Sequence, residues 1–265
     1  MPEKVTTRTL AQMKKQCTRI VAITAYDTPS ARLAEQAGVD VVLVGDSVAN
    51  TMLGYETTLP VSLEEVLHHL KAVRRGLKRP LLVADMPFLS YGVAVPDAVY
   101  HAGKLMQAGA EAVKVEGATE PILETIRAMV SIGIPVMAHL GLTPQSIHRF
   151  GGYRVQGRGE EGELLLKSAQ AVQEAGAFAV VLEVLPRSLA KRITESLTIP
   201  TIGIGAGPDC DGEIQVWHDI LGLSEQSFKH THAYANLRKT ILEAIQQYVE
   251  EVRARRFPTE EQSFE

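Results

Sequence analysis

Eight short runs of Val, Ile, Leu and Ala recur along the chain at nearly even spacing, and this recurrence constrains the fold more than any other feature. They are Ile20–Ala25, Val39–Val44, Pro80–Ala84, Ala112–Val115, Pro135–Ala138, Ala177–Leu182, Thr201–Ile204 and Glu213–Trp217. Most are continuously apolar rather than alternating, which predicts strands buried on both faces, as in a parallel sheet covered by helices. Between them lie segments of helical periodicity: Leu63–Leu77, Asp97–Ala108, Glu120–Ile132, Glu163–Ala175 and Ser188–Glu195. Helix punctuation agrees. Asp27-Thr28-Pro29 reads as an N-cap with an early proline, and Ser62 precedes Glu64-Glu65 in a first turn. Gly38, Gly76, Gly109, Gly133 and Gly176 each sit where a helix stops before the next strand.

Eight strands in 265 residues give about 33 residues per unit, close to a (β/α)8 barrel of ~250 residues. A doubly wound open sheet is the rival, because periodicity does not report closure. The barrel is preferred: the strand count is eight, and no strand–Gly-x-Gly-x-x-Gly–helix fingerprint opens the chain. No composition break marks a boundary, so residues 1–265 read as one barrel domain. A helix-like Leu10–Lys15 segment would plug its bottom, and a tail would follow the last strand. The longest irregular stretch is Gly141–Gly162, and a loop that long usually serves function or moves.

Charge and length then exclude several classes. Net charge is −4 and the pI about 6.1, so no basic field attracts nucleic acid or anionic membranes. The apolar runs fall far short of the ~20 residues of a membrane span, and no apolar block follows the charged start to suggest a secretory signal. Cys17 and Cys210 lack metal-ligand spacing and fit a reducing cytosol. A cytoplasmic enzyme is the expectation.

Barrel chemistry sits where the strands finish, and those positions are unusually polar. The second run ends Val44-Gly45-Asp46-Ser47, the third Ala84-Asp85-Met86-Pro87, and the fourth Val113-Lys114-Val115-Glu116. The fifth ends at His139 and the sixth at Glu183. Asp46, Asp85 and Glu116 would converge on one mouth, where like charges repel unless a cation sits among them. All-oxygen ligands select Mg²⁺ before Mn²⁺. Each residue also has a plain reading. A lone Asp after a strand is often a cap, Lys114 and Glu116 share a face and read equally as an ion pair, and a lone His is often simply packed. Glu183 is harder to dismiss, because burying a carboxylate after Val180-Val181-Leu182 is costly without a purpose. Gly203–Gly207 invites a phosphate-binding reading, or glycine here only supplies tight turns.

Together these motifs resemble the ketopantoate (3-methyl-2-oxobutanoate) hydroxymethyltransferase family. The matching residues are Thr24-Ala25-Tyr26-Asp27, Gly45-Asp46-Ser47, Asp85-Met86-Pro87-Phe88, Lys114-Val115-Glu116, His139 through Gln145, Glu183, Gly203–Gly207, and Phe257-Pro258 with Phe264. The resemblance spans nearly the whole chain. It implies a (β/α)8 barrel of the phosphoenolpyruvate mutase/isocitrate lyase type using Mg²⁺. It further implies transfer of a hydroxymethyl group from 5,10-methylenetetrahydrofolate to 3-methyl-2-oxobutanoate, giving 2-dehydropantoate, in a decamer built as a pentamer of dimers. Carried over residue by residue, Asp46, Asp85 and Glu116 resemble the metal site, with Asp46 and Asp85 as direct ligands. Ser47, Lys114 and His139 resemble oxo-acid contacts, as do Asp46 and Asp85 through the metal, and Glu183 resembles the base. Two rivals stay open: a carbon–carbon lyase of the same barrel group, and an oxo-acid binder without turnover. Arg149, Arg154 and Arg158 in the long loop read as outer contacts to the anionic folate tail, with Gly151-Gly152 and Gly157–Gly159 as hinges, or else as part of a solvated loop or of one that packs against a neighbouring subunit.

Overall fold

A computed structural model describes residues 3–225 and 228–265. The chain divides into two compact units, one running to Trp217 and the other His218–Glu265. The first unit is a closed barrel of eight parallel strands in sequential order. They are β1 (Ile20–Thr24), β2 (Val41–Val44), β3 (Leu81–Asp85), β4 (Ala112–Glu116), β5 (Val136–Gly141), β6 (Ala179–Glu183), β7 (Thr201–Ile204) and β8 (Gly212–Gln215), and β8 pairs back onto β1. All eight fall within a few residues of the sequence-predicted runs, and closure settles the choice between barrel and open sheet. Every residue of β2, β3, β4 and β5 is buried, as continuous apolar runs require of strands covered on both faces.

The helices are α1 (Thr7–Lys15), α2 (Thr28–Ala37), α3 (Val48–Thr51), α4 (Leu63–Arg74), α5 (Val95–Gln107), α6 (Glu120–Ser131), α7 (Ile147–Phe150), α8 (Glu161–Glu174), α9 (Arg187–Ser196), α10 (Trp217–Ile220) and α11 (Leu237–Arg253). Their starts follow the capping chemistry of the sequence. Asp27 accepts the Ser30 amide at 2.7 Å, and Ser62 and Glu65 form a reciprocal capping box. Gly76, alone of the five helix-ending glycines without a positive φ, serves close approach: a Cβ there would lie 2.8 Å from Ala31 Cβ, where α4 meets α2.

Strand side chains alternate in direction, so every second residue points into the barrel. The lower interior is one apolar cluster: Ile20, Ala22, Val41, Leu43, Leu81, Val83, Ala112, Met137, Ala179, Val181, Ile202 and Ile214. Val5, Leu10 and Met13 join it from the segment before β1, so α1 packs against the bottom of this cluster. Burying Leu10 fully contributes about 2 kcal/mol.

The second unit contains α11, which the sequence reading did not single out as a helix. Its apolar residues Ile241, Leu242, Ile245, Tyr248 and Val252 follow helical spacing yet are all exposed. Phe257 packs edge-on against Tyr248 at 5.9 Å between ring centres, whereas Phe264 is fully exposed. Among the described residues no helix is long and apolar enough to cross a membrane, and both cysteines are free.

Candidate active site at the barrel mouth

The inward rows do not stay apolar to the top. Two residues beyond Val83 is Asp85; beyond Ala112 come Lys114 and Glu116; beyond Met137, His139; beyond Val181, Glu183. The register places Asp85 beside Lys114 and Glu116 beside His139. Five of the six sequence-predicted strand-end residues therefore face the same interior. Asp46 reaches the site differently. Gly45 takes the inward position after Leu43, where a Cβ would lie 2.7 Å from Ser47 Oγ and 3.4 Å from Asp85 Oδ2. Its bare backbone lets the Asp46 amide donate to Asp85 Oδ2 at 2.9 Å.

Lys114 Nζ lies 2.6 Å from Asp85 Oδ1 and 3.4 Å from His139 Nδ1. Burial alone would depress the Lys114 ammonium, but Asp85, then Glu116 and Asp46, outweigh it and hold the pKa above the lysine range. His139 stands between two carboxylates, with Nδ1 3.3 Å from Glu116 Oε1 and Nε2 3.1 Å from Glu183 Oε2. Burial and the Lys114 charge act to lower its pKa, yet the two carboxylates prevail and raise it to about 9. Asp46 is pushed up to about 8, by burial first and then by the Asp85 and Glu116 charges. Three buried groups thus keep protons at neutral pH that would otherwise leave four carboxylates crowded together.

A hydrogen-bond network centred on Gln145 and Tyr91 binds these elements. Gln145 Nε2 donates to Asp46 Oδ2 at 2.9 Å and to the Met86 carbonyl at 3.0 Å, while its backbone amide donates to Glu116 Oε2 at 3.0 Å. Tyr91 donates to Gln145 Oε1 at 2.8 Å and accepts the Glu116 amide at 2.9 Å. These partners lie up to 99 residues apart, so only barrel closure reveals them. Tyr26, fully buried, shares a hydrogen bond of 2.8 Å with Ser47 Oγ and aims that hydroxyl. Tyr153 in the long loop, more than half exposed, has its phenol pKa raised by partial desolvation first and then by the Glu183 and Asp46 charges.

The stretch Gly141–Gly162 is less irregular than its sequence suggests. β5 runs through Gly141, a single 3₁₀ turn covers Pro144–Ser146, α7 follows, and α8 begins at Glu161. Arg149, Arg154 and Arg158 are exposed. Gly157 is a packing glycine rather than a hinge, since a Cβ there would meet Leu189 at 2.5 Å and Leu165 at 2.8 Å. A cavity of about 580 Å³ opens beside the site, bounded by Glu116, Gln145, Phe88, Arg149, Phe150 and Leu164 among others. At Gly207 a Cβ would lie 2.8 Å from Arg187 Cγ, and Arg187 is paired with Asp209 at 2.6 Å. Gly207 also has a φ of +83°, a left-handed backbone that favours glycine.

Asp46, Asp85 and Glu116 do converge, but among the described residues no three His, Cys, Asp or Glu side chains form a metal cage. Asp85 is engaged with Lys114 and the Asp46 amide, and Glu116 with the Gln145 amide. Even so, the donors fit a hard divalent cation. They are all oxygen, Asp46 retains a proton that a cation would displace, and Glu116 Oε1 is buried without an aligned hydrogen-bond partner. Mg²⁺ commonly takes only one or two carboxylates and keeps the rest of its shell for water and substrate.

Comparison with known proteins completes the description. The family model described as ketopantoate hydroxymethyltransferase matches residues 4–260. The 3-methyl-2-oxobutanoate hydroxymethyltransferase of Moorella thermoacetica is 53% identical over 264 residues, spanning 98% of each chain. That of Thermotoga maritima is 54% identical over 248 residues, spanning 93% of this chain and 92% of its own. Among solved structures, phosphonopyruvate hydrolase in complex with oxalate and Mg²⁺ aligns with a TM-score of 0.63 at 17% identity, over 94% of this chain and 87% of that one. A 2,3-dimethylmalate lyase, a PEP mutase/isocitrate lyase superfamily member, aligns with a TM-score of 0.62 at 17% identity, over 100% and 90%. The last two establish the barrel type and nothing about substrate.

Proposed function

The chain belongs to the ketopantoate hydroxymethyltransferase family, and from that premise we propose that it transfers a hydroxymethyl group from 5,10-methylenetetrahydrofolate to 3-methyl-2-oxobutanoate, giving 2-dehydropantoate for pantothenate synthesis. The observation that carries this reading is the difference in exposure among the inward carboxylates. The side chains of Asp85 and Glu116 are 3% and 4% exposed, whereas Glu183 is 17% exposed. Glu183 is the inward carboxylate that an entering substrate meets.

The reaction needs a carbanion equivalent at a tertiary carbon next to a ketone. Asp46 and Asp85 would hold Mg²⁺, with Glu116 adding negative charge behind them; when bound, the metal supplies Lewis-acid polarisation of the keto oxygen. Ser47, oriented by Tyr26, offers a hydroxyl to the substrate carboxylate. Lys114, kept charged by its three carboxylate neighbours, stabilises the oxygen on which negative charge develops. That charge also opposes the Schiff-base alternative, which requires a neutral amine. Glu183 accepts the proton from C3, and His139, cationic below pH about 9, stands 3.1 Å from that carboxylate as its charge partner. The 580 Å³ cavity is of suitable size for part of a folate, with Arg149 at its rim available to an anionic tail. The exposed apolar row of α11 supports association with further copies of the chain in the expected decamer, from which a mass in solution several times 28.9 kDa follows.

The test is product formation. Purified protein given 3-methyl-2-oxobutanoate, Mg²⁺ and 5,10-methylenetetrahydrofolate should yield 2-dehydropantoate and tetrahydrofolate in equal amounts, followed by mass spectrometry. Cleavage of 2-hydroxy diacids without that product would favour the carbon–carbon lyase reading, and tight oxo-acid binding without any product would favour the binder.

A further inference from the structure

Among the described residues four non-glycines have a positive φ: Cys17, Leu89, Val184 and Arg255. Cys17 and Arg255 directly follow the C-caps of α1 and α11, where the left-handed conformation is the usual way to end a helix. Val184, with φ of 51°, has no such excuse. It is the β-branched member of the four, and a β-branched residue in this region is a true outlier. It also directly follows Glu183.

The surroundings hold the backbone there from every side. The Val184 amide donates to the Ile204 carbonyl at 2.8 Å, and the Val184 carbonyl accepts the Gln156 amide at 3.0 Å. The Glu183 carbonyl accepts the Leu142 amide at 2.9 Å. Gly141 presses so close to that carbonyl that a Cβ would lie 2.2 Å from its oxygen. Strand pairing therefore persists to the last residue of β6, with Glu183 opposite Gly141 on one side and Ile204 on the other. The chain then turns abruptly and delivers buried Leu185 against Gly141. Strain of this kind persists only where neighbouring structure over-determines it, and such sites cluster where geometry serves chemistry.

We propose that Val184 is a positioning residue: its left-handed backbone, clamped by Ile204, Gln156 and the close approach of Gly141, confines the Glu183 carboxylate to one orientation toward the substrate carbon. The proposal rests on the reading of Glu183 as the base. A side chain bearing Cβ has only a small left-handed region available, so the peptide between residues 183 and 184 has little freedom to rock. Glycine at 184 tolerates the same φ but explores far more of the map. Asparagine tolerates the left-handed region while keeping a Cβ. The amide of Gln156 on Val184 also ties the long loop to the same point, so loop and base move together.

Three variants decide it, each assayed for Mg²⁺-dependent exchange of the C3 proton of 3-methyl-2-oxobutanoate, for kcat and KM, and for thermal melting. Val184→Gly should lower exchange and kcat together by roughly 10- to 100-fold, the cost of misplacing a reacting group by about 1 Å, with KM for the oxo acid within about twofold of the parent. Val184→Asn should recover most of the lost rate and melt roughly 2–4 °C higher, as relief of strain in a chain of this size predicts. A Val184→Gly enzyme at the parent rate would overturn the proposal, as would Val184→Asn being as slow as Val184→Gly, which would assign the effect to the isopropyl group. Glu183→Gln separates this outcome from failure of the underlying reading. If it still exchanges at the parent rate, Glu183 is not the base. If it is inactive while Val184→Gly is normal, only the positioning role fails.

Discussion

The two ends of the barrel are built on the same strands and the same inward rows, yet they hold opposite chemistry. At the bottom the rows read Ile20, Val41, Leu81, Ala112, Met137 and Ala179, sealed by Val5 and Leu10. One or two turns of the pleat higher they read Asp85, Lys114, Glu116 and His139, nearly as deeply buried, and Glu183, which is half-buried. The lower end gains stability from apolar area. The upper end buries Asp46, Asp85, Glu116, Lys114 and His139, with Glu183 half-buried beside them, and Lys114, His139 and the proton on Asp46 offset the crowded carboxylates. Depth is shared between the two ends, and only the polarity of every second residue differs.

The contrast predicts that equal-sized cuts at the two ends fail in different ways. The largest effect is expected from Asp85→Ala. It removes the 2.6 Å partner of Lys114 and the acceptor of the Asp46 amide, and breaking a buried ion pair costs about 3–5 kcal/mol. Calorimetry should show Mg²⁺-dependent oxo-acid binding abolished and, unlike a change at an exposed rim, a lowered melting temperature as well. Oxo-acid binding at parental strength in this variant would dismiss the metal assignment.

At the other end, Leu10→Ala should cost about 2–4 kcal/mol through lost burial and the cavity left behind. Urea unfolding reports that loss, while kcat and Mg²⁺ affinity stay at parental values. A Leu10→Ala variant that loses turnover in the folded state would show that the plug and the mouth are coupled.

Much of this contrast is legible in the sequence. The eight runs locate the strands because buried parallel strands are continuously apolar, and the polar residues at their ends announce the mouth. The sequence does not reveal how deep those residues lie: Asp85 and Lys114 look like rim groups until the register sets them side by side in the interior. Nor does it reveal the contacts of Gln145, which lies within a matching motif, or of Tyr91, since their partners come from other strands and meet them only once the barrel closes. The helix α11 was within reach, since Ile241, Ile245, Tyr248 and Val252 keep helical spacing. The left-handed backbone at Val184 leaves no trace at all, since valine is the residue least expected there.

A smaller effect tests the charge balance at the mouth alone. Asp46 has a folded pKa of about 8 against about 3.9 for an unfolded aspartate, and His139 about 9 against about 6.5. Groups raised in this way add stability that is complete below their unfolded pKa and lost as pH rises through the folded value. Both are losing it between pH about 6.5 and 8, each by up to about 1.4 kcal/mol per pH unit. The metal-free protein should therefore melt at progressively lower temperature from pH 6.5 to 9, and Mg²⁺ should restore the loss most at the high end, where Asp46 has given up its proton. Melts in EDTA that are flat over this range would contradict the crowded-carboxylate account. The apolar bottom contributes nothing to this dependence, so Leu10→Ala should shift the curve down without changing its slope.

The central claim is that the polar ends of the inward rows form an enolising site in which Glu183 takes the proton. Deuterium incorporation at C3 of 3-methyl-2-oxobutanoate, followed by NMR in deuterated buffer with Mg²⁺ and no folate, tests it most directly. The parent protein should exchange that proton in the absence of the one-carbon donor, and Glu183→Gln should still bind the oxo acid while exchanging about 10²–10⁴-fold more slowly. Exchange at the parental rate in Glu183→Gln, or none in the parent without folate, would contradict the account.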